Sequence, residues 1–421
     1  MDHVIALRCT LCGKEFSTVE AEYTCVVCGD HGNLDVIYDY DRIAAAWAAD
    51  LNKDVAPGMW RYKTLLPVEY NSKVPPLVVG NTPLYPNSSI AQSLGLREVW
   101  LKDDGCNPTG SLKDRASALV VARAMLEGRE IVTTASTGNA GAALAGLAAS
   151  VGMPSVIFAP ATAPPAKVAQ LLVYGSTVLL VDGTYVQAFE LCLGATRLYN
   201  WYCRSTGYNP YTAEGKKTVA YEICEQISRQ HGRFEAPDRI FVSVGDGNII
   251  AGVHKGLKDL LALGWIDHMP KLVGVQAEGS AALYHARKEN IDPANMQPID
   301  AQTVADSICA GLPRDRVKAM NAVKQTDGYY MTVSDEEILA AIPLLARASG
   351  VFAEPAASAA YAGLLKAVQA GQVNQDERVV VIITGSGLKD IASAMRSIQP
   401  ARVIAPTLEA VGQAVFEIFG T

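Results

Sequence analysis

Short apolar runs alternate with helix-length stretches through most of this chain, and no other feature limits its possible folds so tightly. From residue 111 onward the runs 130–134, 155–158, 177–181, 239–244, 271–276 and 379–384 read as strands. Helical patterns at 114–126, 167–174, 185–198 and 218–230 fall between them, with others ending near 151 and 263 and a last one starting at 389. Strands separated by helices of that length need crossover connections, so the fold class is α/β with parallel sheet. The run Val379-Val-Val-Ile-Ile-Thr384 is β-branched throughout and reads as a strand buried on both faces. Before residue 111, an amphipathic helix at 41–51 and short strands at 77–79 and 99–102 are expected.

A chain of 421 residues exceeds one ordinary core, which predicts two or three domains. With 49% apolar and 19% charged residues it has the balance of a compact enzyme rather than of a disordered chain. A formal net charge of −7 gives no electrostatic basis for binding nucleic acid or an anionic membrane. No secretory signal is expected, and the apolar stretch 136–158 is broken by Asn139, glycines and Pro154, unlike a membrane span.

Four of the nine cysteines form two Cys-x-x-Cys-Gly units, Cys9 with Cys12 and Cys25 with Cys28, twelve residues apart. Four thiolates at this spacing suit one tetrahedral Zn²⁺, and full ligation leaves no open position for catalysis, so the role is structural. A redox dithiol would need one pair only. A zinc ribbon can also bind nucleic acid, but Glu15, Glu20, Glu22, Asp30, Asp35 and Asp39 make this one acidic. Reduced, metal-bound cysteines fit the cytoplasm. Cys106 and Cys309 are expected as buried packing residues.

Lys113 lies in Asn107-Pro-Thr-Gly-Ser-Leu-Lys-Asp-Arg115, after a turn of small residues and at the start of a helical pattern. Such a turn lets the backbone approach a ligand, and the field at a helix start opposes protonation of the lysine. A neutral lysine there can attack a carbonyl to form a Schiff base, although a lone lysine also reads as a plain surface residue. Three more loops each follow a strand, where open parallel sheets collect ligands. Gly245-Asp246-Gly247-Asn248 offers backbone N–H groups at a helix start for a phosphate dianion. Ser136, Thr137, Gly138 and Asn139 offer hydroxyls, an amide and N–H groups for a carboxylate and a phenolic oxygen. Thr384 offers a neutral hydroxyl for a heterocyclic nitrogen. Each loop alone is ordinary α/β turn chemistry.

Taken together and in this order, these motifs and Thr384-Gly-Ser-Gly-Leu-Lys-Asp390 resemble the threonine synthase family of fold-type II pyridoxal 5'-phosphate enzymes, the tryptophan synthase β group. The resemblance extends to an N-terminal Cys₄ segment. It implies two three-layer parallel-sheet domains, with a ribbon at 1–38, a large domain from 39–109 and 207–421, and a small domain at 110–206. It implies that Lys113 carries the cofactor and is the general base, that Asn139 meets the phenolic oxygen, that Gly245 to Asn248 hold the phosphate and that Thr384 faces the ring nitrogen. The implied reaction converts O-phospho-L-homoserine to L-threonine in a cytoplasmic homodimer. One stretch departs from the family pattern. Asn209-Pro-Tyr-Thr-Ala-Glu-Gly-Lys-Lys-Thr218 has Thr212 where an arginine for the substrate phosphate is expected, and Lys216 in place of a glutamine. Lys216, Lys217 and Arg204 are the alternative cations, and Lys216 and Lys217 read equally well as a solvated helix start. The departure leaves open a β-eliminating or β-replacing enzyme on a serine- or threonine-type amino acid. A zinc-ribbon binding module with a degenerate enzyme body is the remaining alternative.

Overall fold

The computed structural model describes residues 3–50, 56–163, 165–230 and 233–419. At the N-terminus β1 (Val4–Cys9), β2 (Glu15–Phe16), β3 (Thr24–Cys25) and β4 (Gly29–Tyr38) form an antiparallel ribbon in the order β2-β1-β4-β3. The helix Tyr40–Asp50 follows, and the last residue of the helix expected at 41–51 lies outside the described residues. Next come β5 (Leu84–Pro86) and β6 (Glu98–Asp103). The strands β7 (Val132–Ala135), β8 (Ser155–Pro160), β9 (Thr177–Val181) and β10 (Tyr202–Cys203) make a four-stranded parallel sheet ordered β10-β7-β8-β9. The chain then returns through β11 (Arg239–Ser243), β12 (Lys271–Ala277), β13 (Tyr329–Val333) and β14 (Arg378–Ile383). With β5 and β6 these form a six-stranded sheet ordered β13-β12-β11-β14-β6-β5, parallel except for β5.

The β-branched run in β14 sits between β11 and β6, and Val379 to Ile383 have no exposed surface. A strand covered by helices on both faces needs such a run. At the sheet edge, β9 leaves Leu179 and Leu180 exposed. Residues 77–79, expected as a strand, form none. Two prolines precede them, and the Val79 carbonyl instead accepts a single 2.6 Å bond from Met59 N. Several helices lie outside the sequence expectations, among them Tyr211–Lys216 ahead of Thr218–Ser228, and Asp335–Ser349 with its Ser334/Glu337 capping box. Gly215, in the first of these, approaches the backbone of the helix Lys113–Leu126, where a Cβ would lie 2.2 Å from Arg115 O.

Arg115 is fully buried beneath the lysine motif. Its Nε and Nη2 donate to the Asp104 carboxylate at 2.7 and 2.8 Å, and its Nη1 and Nη2 donate to the Glu222 carboxylate at 2.6 and 2.8 Å. Lys102 Nζ completes the cluster, donating to Glu222 at 2.7 Å. Burial alone would raise the Glu222 pKa, but Arg115 and Lys102 outweigh it and hold it at about 2. A folded pKa below the unfolded value of about 4.3 makes this stabilisation complete above that pH and lost as pH falls toward 2. Arg115→Met strands two buried carboxylates beside one lysine, and the expected cost is about 3–5 kcal/mol. Chemical denaturation followed by circular dichroism measures it, and the wild type should lose much of its margin over the variant between pH 4 and 2.

Candidate active site

The C-terminal ends of both parallel sheets meet at one cleft, with a volume of about 530 Å³ bordered by Asn107, Thr109, Thr137, Asn139, Glu354 and Lys389 among others. The lysine loop is laced into the end of β14. Leu112 N donates to Thr384 O at 2.9 Å and Ser386 N to Gly110 O at 3.0 Å, with Gly110 at φ +83°. Asp114 holds the turn from below by accepting Thr109 N at 2.7 Å and the Thr109 hydroxyl. Lys113 is therefore the first residue of its helix, one position from a main-chain bond to Thr384. Burial lowers the Lys113 pKa to about 8; Glu354 opposes this, Arg204 adds to it, and Asp246 opposes it.

Asn139 opens the helix Asn139–Ser150 at the end of β7, and its amide donates to both Glu354 oxygens at 2.8 and 3.0 Å and to Ser307 Oγ at 3.3 Å. The sequence marks Glu354 as the start of a small-residue helix packing near the cofactor and gives no sign of its contact with Asn139. Its Glu-Pro signal marks a helix start, while its partner lies 215 positions away. Burial raises its pKa against the pull of Asn139 and Lys113. The carboxylate lies over Gly385, where a Cβ would come within 2.5 Å of Glu354 Oε1. Ser136 N bonds Phe158 O at 3.0 Å and Gly138 N bonds Ser136 Oγ at 3.2 Å, so the loop 136–138 is shaped by its own contacts at the cleft wall.

Gly245 to Asn248, which do not line this cleft, lead from β11 into the fifteen-residue helix Asn248–Ala262. Gly247 has φ +87°, and a Cβ on Gly245 would lie 2.7 Å from Ile308 Cα, so this loop admits no side chains at either glycine. The Asp246 carboxylate accepts Arg314 N at 3.2 Å and its carbonyl accepts Asp315 N at 2.9 Å, which leaves its own N–H out of both contacts. Asn248 donates to Asp315 Oδ2 and accepts Lys216 Nζ. Thr212 Oγ1 donates to Asn209 O at 2.8 Å and accepts Asn248 Nδ2 at 3.3 Å.

Neither Lys216 nor Lys217 is solvated; they are 1% and 0% exposed, which removes the solvated-helix reading. Lys217 is occupied by Glu214 at 2.6 Å and Asp259 at 2.8 Å, so it is structural. Lys216 has its pKa pushed well down by burial and by the charges of Lys113 and Arg204, with Asp315 and Asp246 opposing. Arg204, just after β10, is 1% exposed and donates to Ser117 Oγ at 3.2 Å and Thr206 Oγ1 at 2.9 Å, while its Nη2 has no partner among the described residues. Ser111 Oγ and Ser243 Oγ are buried without partners too, one beside Lys113 in sequence and one at the end of β11. Unpaired buried polar atoms are costly, and Ser111, two residues before Lys113, and Ser243, two residues before the Gly245 loop, fit donors to an anionic, carbonyl-bearing group such as pyridoxal phosphate.

In the ribbon, the Cys9, Cys12, Cys25 and Cys28 sulfurs lie within 4.8 Å of one another, with Cys9–Cys28 at 3.9 Å and Cys12–Cys25 at 3.7 Å. Sulfurs about 2.3 Å from one Zn²⁺ would form a tetrahedron with edges of about 3.8 Å, so the donor set fits. Leu11 N and Cys12 N point at Cys9 Sγ, and Val27 N and Cys28 N at Cys25 Sγ, at 3.4–3.5 Å. Cys106 and Cys309 are exposed, contrary to the expectation of buried packing, and bond Asp103 and Ala301 O at the surface. Among the described residues no helix is long and apolar enough to cross a membrane.

Residues 76–385 match the family model for pyridoxal-phosphate-dependent enzymes. The threonine synthase of Methanocaldococcus jannaschii is 38% identical over 394 residues, covering 93% of this chain and 94% of that protein. The threonine synthase of Methanosarcina acetivorans is 38% identical over 413 residues, covering 97% and 98%. The fold is shared with threonine deaminase isoform 2 of Solanum lycopersicum, at a TM-score of 0.61 and 20% identity over 75% of this chain and 86% of that one. Diaminopropionate ammonia lyase of Escherichia coli matches with a TM-score of 0.63 and 16% identity over the same shares. The chain thus belongs to the pyridoxal-phosphate-dependent enzymes of fold type II, within the threonine synthase family.

A lysine with a pKa near 8 reacts with an aldehyde through its neutral fraction. Below pH 8 the rate at which cofactor-free protein turns yellow with pyridoxal phosphate should rise about tenfold per pH unit, then level off above it. Stopped-flow absorbance measures the profile, and Lys113→Ala should give no yellow species at any pH.

Proposed function

We propose that the chain is a threonine synthase, converting O-phospho-L-homoserine and water to L-threonine and inorganic phosphate, with Lys113 as base. Pyridoxal phosphate, when bound, supplies the electron sink for carbanion chemistry at the substrate α-carbon. Lys113 Nζ, kept partly neutral by burial, takes the proton from that carbon. Thr384, 4% exposed, offers a neutral hydroxyl to the cofactor ring nitrogen. Asn139, steadied by Glu354, meets the phenolic oxygen, and the loop from Gly245 to Asn248 takes the cofactor phosphate at its helix N-terminus. Thr137 and Gly138 at the wall of the cleft, with Ser136 next to them in the loop, receive the substrate carboxylate.

The observation that carries the phosphate-bearing substrate is the unpaired Nη2 of buried Arg204. Burial lowers the proton affinity of all three basic groups, Lys113, Lys216 and Arg204; Arg204 lowers that of Lys113 and Lys216 further, and Lys113 lowers that of Lys216. Three crowded basic groups form a field that a second phosphate would relieve, without an arginine at position 212. Arg204→Leu is expected to lower kcat/KM for phosphohomoserine about 10- to 100-fold, the value of one charge-assisted hydrogen bond. Paired assays of threonine and phosphate release measure it. A wild-type enzyme that forms 2-oxo acid from serine or threonine and releases no phosphate from phosphohomoserine would favour the β-eliminating reading, which Thr212 motivates.

The four cysteines bind one structural zinc in this reading. Metal analysis should find one equivalent per chain, and chelation should lower the thermal midpoint, since the binding energy of a structural site is folding energy.

A further inference from the structure

One ribbon side chain, Asn33, bonds directly to the residues behind the loop 245–248. Gly32 packs into the cysteine cluster so closely that a Cβ would lie 2.5 Å from Cys25 Cβ and 3.3 Å from Cys9 Sγ. The next residue, Asn33, is tied to the first knuckle by its carbonyl, which accepts Thr10 N at 2.9 Å and Thr10 Oγ1 at 3.1 Å. Its side-chain amide leaves the ribbon and donates to Asp315 Oδ1 at 2.8 Å, with Gly207 O and Arg314 O at 3.0 and 3.1 Å. The other Asp315 oxygen accepts Asn248 Nδ2, and Asn248 Oδ1 accepts Lys216 Nζ. At the same corner the Arg314 and Asp315 main-chain nitrogens both clasp Asp246. Asn33 is 7% exposed, Asn248 is 3% and Asp315 is 2%.

We propose that Asn33 is a positioning residue for the phosphate-binding loop, and that filling of the Cys₄ site is thereby coupled to the grip of that loop on a phosphate dianion. An asparagine amide can rotate to exchange donor and acceptor, and here the order is set from the ribbon inward. Asn33 directs one Asp315 oxygen to itself and leaves the other to fix the Asn248 Nδ2. That orientation aims Asn248 Oδ1 at Lys216 and sets the first turn of the helix Asn248–Ala262. With the metal in place, the knuckle holds Thr10 and Gly32, and these hold Asn33. The inference rests on the reading of residues 245–248 as a phosphate site.

The test uses the full chain and three readouts: zinc content, the dissociation constant for pyridoxal phosphate by absorbance, and that for inorganic phosphate by calorimetry on cofactor-free protein. Asn33→Ala should retain one zinc and the wild-type circular dichroism spectrum while binding both ligands about tenfold more weakly, the scale of one lost hydrogen bond to a charged group. Asn33→Asp, which sets a carboxylate against Asp315, should bind them more weakly still. Removing zinc from the wild type should reproduce the loss, and removing it from N33A should add little. Should N33A not fold, Asn33→Ser keeps the ribbon backbone and carries the same measurements. The proposal is overturned if N33A or N33S binds both ligands like the wild type, or if chelation weakens the variant as much as the wild type. A wild type that never turns yellow with pyridoxal phosphate would sink the functional reading instead, and inorganic phosphate would still report on the Asn33 link.

Discussion

The buried guanidinium of Arg115 is the interaction on which the arrangement around Lys113 depends. It lies two residues past the lysine, where it joins the helix Lys113–Leu126 to Asp104 after β6 and to Glu222 on the helix Thr218–Ser228. With Lys102 the cluster holds two positive and two negative side chains in a space without water. Desolvating four charges costs about as much as their attraction returns, so its benefit lies in geometry more than in net stability. Any shift of the lysine helix against β6 would part a charged, bidentate contact. The Pro-Thr-Gly-Ser turn is thereby held on both sides, by the end of β14 above and by Asp114 and Arg115 below.

The ribbon acts as a strut between the parts of the body. On one side it meets the four-stranded sheet and its helices, through Asp30 with Arg197 at 2.7 Å, Glu22 with Arg129 at 2.7 Å and Tyr23, whose oxygen accepts Cys203 N at 3.1 Å. On the other it meets helices packed on the six-stranded sheet, through the Leu34 carbonyl and Lys318 at 2.6 Å and through Tyr38 and Glu214 at 2.6 Å. Several of these pairs are exposed and contribute little alone. The aromatic contacts are buried, with Tyr23 stacked on Tyr208 at 4.7 Å between centroids, and they give the docking its apolar area.

Much of the site was legible because its chemistry is local. Glycines, serines and asparagines directly after β-branched runs mark the ends of parallel strands, and three of the four such loops border one cleft. The two cysteine knuckles were legible for the same reason. What the sequence hid depends on distant pairings. Glu354 acquires meaning only from Asn139, and Asn33 only from Asp315, 282 positions away. The lysines at 216 and 217 look like a polar helix start until the helix is seen packed between two others. The expected strand at 77–79 failed because extended apolar residues after a proline pair have no strand beside them to complete a ladder.

Gly215 bears on how the two lysines of the site are held. The helix Tyr211–Lys216 lies backbone to backbone against the helix Lys113–Leu126, with no room at Gly215 for a methyl group. No side chain stands between them to change rotamer and take up slack. Lys113 and Lys216 are therefore spaced by peptide planes rather than by packing, and thermal jitter of the surrounding core reaches both of them together. The separation of the two lysine backbones is in that sense inherited from one missing Cβ.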